Sequence, residues 1–200
     1  MPSPPPLQKG VFYHIYNRGN NGENIFRERR NYYFFMQHYA KYIKPIADTY
    51  AYALLKNHFH FLIRTKTEIE QRLAHAGKEF KILSPSQQFS NLFNSYARAF
   101  NKTYDRTGSL FEHPFKRIAV ESDAYFRQLV IYIHQNPQRH GLIADFKDWS
   151  YTSYQALLSK EATSLERDVV LEWFDGVDGF IEFHQAQEAP EFETFDYVKP

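Results

Sequence analysis

Two apolar runs separated by a two-residue break constrain this fold most: Thr49-Tyr-Ala-Tyr-Ala-Leu-Leu55, Lys56-Asn57, then His58-Phe-His-Phe-Leu-Ile63. Both runs are rich in β-formers, and so short a break makes them antiparallel neighbours. Side chains alternate along a strand, so His58 and His60 project together from one face while Phe59 and Phe61 point the other way into a core.

Other elements follow from the same reading. Residues 1–9 form a Pro-rich lead with no periodicity, expected to be flexible. Val11-Phe-Tyr-His-Ile-Tyr16 is a further strand, ending at the turn-forming Asn17-Arg-Gly-Asn-Asn-Gly22. Tyr32, Phe35, Met36 and Tyr39 recur at helical spacing and predict a helix over 28–43. A short helix fits within 65–83. Ser84-Pro85 supplies an N-cap and a first-turn proline for a helix to about Lys102. Gly108–Val120 reads as a loop with a short strand at its end. Ser122 caps another helix, which Pro137 should break before a turn at Gly141. Beyond Trp149, one or two short amphipathic helices are expected around Tyr154–Leu158 and Val169–Phe174. The order β-α-β-β-α-β-α predicts an α+β fold, a ferredoxin-like antiparallel sheet flanked by helices, with a small helical C-terminal extension. The expected organisation is a lead over 1–9, a main domain over 10–147 and an acidic extension over 148–200.

Composition excludes several function classes. A mean hydropathy of -0.59 and the lack of a long apolar run exclude a transmembrane helix. Met1-Pro-Ser-Pro-Pro-Pro6 has no signal-like apolar stretch, so a cytoplasmic location is expected. With no cysteine, disulfides, a thiol nucleophile and cysteine-ligated zinc are all excluded.

The net charge of +1 hides an asymmetry. Residues 1–147 hold 21 Lys+Arg against 11 Asp+Glu, and residues 148–200 hold 3 against 12. A basic body suits a nucleic-acid partner. Aromatic residues lie among the bases, as in Arg29-Arg-Asn-Tyr-Tyr33, Tyr96-Ala-Arg98 and Phe115-Lys-Arg117, a mixture that single strands exploit for stacking and phosphate contact. The same rings also suit a core.

Two local patterns carry chemistry. Paired imidazoles on one strand face can hold a metal, although an isolated His-x-His also reads as two solvated side chains. In Tyr132-Ile-His-Gln-Asn-Pro137, Tyr132 and Asn136 are one helical turn apart. A phenol is a possible covalent nucleophile, and the Asn136 amide oxygen could reach a metal. Tyr125 lies two turns earlier on roughly the same face, so spacing leaves the choice of tyrosine open.

Taken in order, Tyr13-His-Ile-Tyr-Asn-Arg-Gly19, Lys56-Asn-His-Phe-His-Phe-Leu62 and Tyr132-Ile-His-Gln-Asn-Pro137 with His140-Gly-Leu142 resemble the single-tyrosine HUH transposases, particularly their REP-associated branch. Gly108-Ser-Leu-Phe111 and Phe115-Lys-Arg117 are similar to that family's segment before the tyrosine helix, and Asp148-Trp-Ser-Tyr-Thr-Ser-Tyr154 extends the likeness. The resemblance implies that His58 and His60 are metal ligands, that Tyr132 is the nucleophile, and that Asn136 is a third polar ligand.

It further implies Mg²⁺ or Mn²⁺ as cofactor and single-stranded DNA, folded as hairpins or REP-like palindromes, as substrate. No membrane partner is expected, and the protein would act as a monomer or a homodimer. Arg18, Arg98, Lys116 and Arg117 are candidate phosphate contacts. The chemistry would be transesterification through a 5′-phosphotyrosine link. Two other readings remain: a non-catalytic single-strand-binding module and a metal-dependent phosphodiesterase using water. The acidic segment, held by Val169, Leu171, Trp173 and Phe174, has two readings: it packs beside the active face or the basic groove and competes with DNA, or it docks with its acids facing solvent away from DNA.

Overall fold

Strands β1 (Phe12–Arg18), β2 (Ala47–Leu54), β3 (His58–Thr65) and β4 (Lys116–Ala119) form one antiparallel sheet in the order β2-β3-β1-β4. The computed structural model of the chain describes residues 5–74 and 81–186. Its helices are α1 (Arg29–Tyr42), α2 (Glu68–Leu73), α3 (Pro85–Thr103), α4 (Asp123–Arg139), α5 (Tyr154–Leu158), α6 (Arg167–Glu172) and α7 (Val177–Ala186). This is the α+β, ferredoxin-like arrangement expected from the element order. Backbone N–H of Leu55 donates to the carbonyl of His58 at 2.8 Å, so Lys56-Asn57 is the two-residue turn of the β2–β3 hairpin.

Strand alternation divides the interior into two cores. Tyr13 and Ile15 of β1 with Phe59, Phe61 and Ile63 of β3 face α1 and α3. Against them α1 sets Tyr32, Phe35 and Tyr39, and α3 sets Phe89, Leu92, Phe93, Tyr96 and Phe100, each series at helical spacing. Burying each of these rings contributes about 1.5–3 kcal/mol. On the other face lie His14, His58, His60 and Leu62, with Ala51 and Ala53 of β2. The two alanines, fully buried, let α4 settle closely onto β2. A bulge between Thr49 and Ala51 turns Tyr50 to this second face, where its ring stacks on Trp173 with centroids 5.4 Å apart.

Several sequence-based expectations need correction. Pro137 does not break α4, which runs on to Arg139; proline's fixed φ fits a helix, and near the end its missing N–H costs a single bond. The amide of His140 still closes the last turn on the Asn136 carbonyl at 3.1 Å. Of the N-terminal lead, residues 5–9 are packed against the domain: Leu7 is buried, and its N–H donates to Ser86 Oγ at 3.0 Å. Residues 1–4 lie outside the described residues. Ser84 stands at the N-cap of α3, yet its hydroxyl makes no capping bond, unlike Ser122, which accepts from the Tyr125 N–H.

Among its described residues the extension holds three helices where one or two were expected. Its backbone caps the open edge of β2, with Leu54 N donating to Tyr151 O at 2.9 Å and Ser153 N to Tyr52 O at 3.0 Å. Covering that edge removes a row of unpaired groups. Tyr154, Val170, Phe174 and Phe180 share the second core with α4. Ion pairs among the described residues, from Lys9–Glu68 to Lys147–Asp145, all lie within residues 9–147, so no acid of 148–186 grips the basic body. Residues 187–200, with the remaining acids, lie outside the described residues.

Candidate active site

The β2–β3 turn and the end of α4 bring His58, His60, Tyr132 and Asn136 together. Asn57 is fixed by its backbone, whose carbonyl accepts from Gly19 N at 2.8 Å. Position 19 has no room for a side chain, since a Cβ there would lie 2.0 Å from the Glu23 carbonyl oxygen. Asn57 Oδ1 lies 2.7 Å from His58 Nδ1. An amide oxygen only accepts, so Nδ1 carries the proton and Nε2 keeps its lone pair.

That Nε2 faces Asn136 Oδ1 at 3.1 Å, and both atoms are acceptors. A proton on Nε2 would reconcile them, but burial, reinforced by His140, pushes the His58 pKa down to about 3. Rotating the amide is a second solution, and a cation between the two atoms is a third. The Nδ2 of Asn136 and the Nε2 of His60 are also buried without a hydrogen-bond partner. Two neutral imidazoles and an amide, with polar atoms unsatisfied by protein, fit a divalent ion. Among the described residues no three His, Asp or Glu side chains gather to hold a metal, so any such ion relies on the amide and on solvent or substrate oxygens.

His60 is held in turn by His14, whose Nε2 lies 2.9 Å from His60 Nδ1. With Nδ1 of His60 donating, its Nε2 is left as a ligand. His14 is fully buried, stacks on Tyr16 with centroids 4.8 Å apart, and has its pKa lowered to about 3 by burial. Burial first, then the neighbouring histidines, holds His60 well below its ordinary value. All three imidazoles are therefore neutral near pH 7.

The Tyr132 ring meets His60 edge-on, with centroids 5.5 Å apart, and the exposed Arg139 places its guanidinium 5.6 Å from the Tyr132 centroid. Tyr132 is only 3% exposed and lies under the Arg139 guanidinium. Tyr125 lies two turns back, about 10 Å away along the helix axis.

The four candidate cations divide between the faces. Arg18 opposes His58 and Lys116 opposes Tyr16 in the β-ladder, which puts both on the histidine face. Arg18 also pairs with Glu112. Arg117 opposes Ile15 and so points to the other face, over the Phe115 ring at 3.9 Å and toward the Pro5 carbonyl. Arg98, on α3, is likewise on the far face. The structure thus brings Arg18 and Lys116 to the site and removes Arg98 and Arg117 from it. Sequence reasoning missed His14, Arg139 and His140. His14 shares its face with Tyr16 by strand alternation, and Arg139 and His140 lie seven and eight residues beyond Tyr132, both spacings readable in advance.

No family model matches the chain. A Haemophilus influenzae protein is 27% identical over 109 residues, covering 54% of this chain and 58% of the relative. A solved structure of a REP-associated tyrosine transposase bound to a REP hairpin superposes with a TM-score of 0.56 at 17% identity, covering 80% of this chain and 86% of that one. The Haemophilus protein too is named for the REP-associated tyrosine transposases. The chain resembles this branch. The motif likeness and the fold likeness to these transposases therefore point to one group, while the chain spans just over half the length of its curated relative. Among the described residues no helix is long and apolar enough to cross a membrane.

Proposed function

We propose that the chain is a transposase-like strand transferase acting on single-stranded DNA that folds into hairpins. The observation that carries this reading is the convergence of Tyr132 on the His58–His60–Asn136 cluster, with 5.5 Å between the Tyr132 and His60 rings and 3.1 Å between His58 and Asn136. A structural neighbour bound to a REP hairpin supports the choice of substrate.

The phenol oxygen of Tyr132 attacks a backbone phosphorus in line, and the bond from phosphorus to the 3′ oxygen breaks. The departing oxygen takes up a proton as the phenol gives one up, leaving a 3′-hydroxyl and a 5′-phosphotyrosine ester. Attack by another 3′-hydroxyl reverses the step, so strands are rejoined without an outside energy source. His58, His60 and Asn136 would hold Mg²⁺ or Mn²⁺, which when bound supplies positive charge to polarise the phosphoryl oxygens. His14 holds the His60 ring and its tautomer, as outer partners of ligating histidines do. Arg139, over the nucleophile, and Arg18, beside His58, offer charge to the phosphates on either side.

A labelled hairpin incubated with the protein and Mn²⁺, then run on a denaturing gel, tests the reading. A protein–DNA adduct and a free 3′ end are expected. Cleavage without adduct would favour water as nucleophile, and binding without cleavage would favour a non-catalytic module.

A further inference from the structure

Arg98 lies on a cavity of about 560 Å³ between α3 and the loop Gly108–His113, on the sheet face opposite Tyr132. We propose that this cavity binds one unpaired nucleotide of the DNA, a proposal that rests on the single-strand reading above. Its size falls in the range of small-molecule pockets. No carboxylate lines it, and its charged side chain is Arg98.

Arg98 is exposed, and neither an ion pair nor a hydrogen bond engages its guanidinium among the described residues. Asn94 and His113, also on the wall, are exposed and similarly unengaged. Asn101, by contrast, is committed: its Nδ2 donates to Gly108 O at 2.8 Å and its Oδ1 accepts from Arg106 at 3.2 Å. These bonds fasten the loop to α3, so the cavity is formed before any ligand arrives. Beneath it lie the buried rings of Phe93 and Phe111, with centroids 5.3 Å apart, which make the floor rigid. A free guanidinium suits a phosphate, and amides suit base edges. A nucleotide satisfies both.

The cavity also adjoins a route from the candidate active site. Its loop is sewn to the end of β1, with Asn20 N donating to Leu110 O at 2.9 Å and Glu112 N to Arg18 O at 3.0 Å. Arg18 is the ladder partner of His58. The Leu110–His113 loop therefore joins the end of β1 at Arg18 on one side and lines the cavity of Arg98 on the other.

The test is fluorescence anisotropy with the full chain, using one hairpin with single-stranded flanks and the same hairpin blunt-ended. Arg98→Ala should weaken the flanked hairpin about tenfold and lower its salt slope by about 1, with blunt-hairpin affinity unchanged. Arg98→Lys should restore part of the loss, and unchanged circular dichroism should accompany both variants. Equal weakening of both DNAs, or none of either, would overturn the nucleotide pocket. Failure of the unaltered chain to bind any hairpin would instead remove the DNA reading itself, and the pocket with it.

Discussion

Replacing His14 by alanine separates the role of the outer histidine from that of the ligands. In the folded protein His14 Nε2 is 2.9 Å from His60 Nδ1. If His60 uses Nε2 as a ligand, Nδ1 must hold a proton, and His14 is what accepts it. His14→Ala leaves that N–H buried with no partner, which costs about 1–3 kcal/mol of stability. It also frees the His60 ring to rotate away from the geometry a metal needs. Loss of such an outer partner typically weakens metal binding about 10–100-fold, or about 1.4–2.7 kcal/mol. The assay is isothermal titration of Mn²⁺ into unaltered, His14→Ala and His14→Gln proteins at neutral pH, with thermal melts confirming that each is folded. Glutamine offers an oxygen acceptor and should recover part of the affinity. A folded His14→Ala protein binding Mn²⁺ within about twofold of the unaltered chain would refute this reasoning.

Asn136→Ala removes the oxygen facing His58 and should abolish Mn²⁺-dependent adduct formation on a denaturing gel while hairpin affinity stays within about threefold. Burial lowers the His184 pKa to about 4 and holds His134 well below its ordinary value, in a chain linking His184 to His134 at 2.8 Å and His134 to Ser153 at 2.7 Å. Below about pH 6.5 the unfolded chain binds protons that these folded histidines refuse. Stability should therefore fall with pH by about 1.4 kcal/mol per unit for each histidine, and equal urea midpoints at pH 7 and pH 5 would contradict it. Gly19→Ala would push a methyl to within 2.0 Å of the Glu23 carbonyl oxygen, so the turn must shift. A loss of about 1–3 kcal/mol in chemical denaturation is expected.

The parts of the fold legible in the sequence are those governed by local periodicity. Alternation in His58–Ile63 put the histidines and phenylalanines on opposite faces, and the spacing of Tyr32, Phe35 and Tyr39 marked the buried stripe of α1. What escaped depends on partners distant in sequence. Lys116 and Arg117 are neighbours, yet only the register of β4 on β1 decides which of them joins the histidines. The contact of His14 with His60 spans 46 residues and exists because β3 lies beside β1. Tyr125 and Tyr132 share a stripe of α4, and the placement of that helix over the sheet sets Tyr132 beside His14 and His60. The extension looked like an appendage because its acids dominate its composition. Its apolar residues, Phe174 and Phe180 above all, belong to the second core.

The most direct test of the account is to find which atom of the protein becomes joined to DNA. The adduct formed with a hairpin and Mn²⁺ can be digested with protease and nuclease, and the peptide that retains a nucleotide sequenced by mass spectrometry. The predicted result is a phosphodiester link on Tyr132, absent from Tyr132→Phe protein that still binds the hairpin. A link on Tyr125, or an undiminished adduct in Tyr132→Phe, would contradict the assignment of the nucleophile.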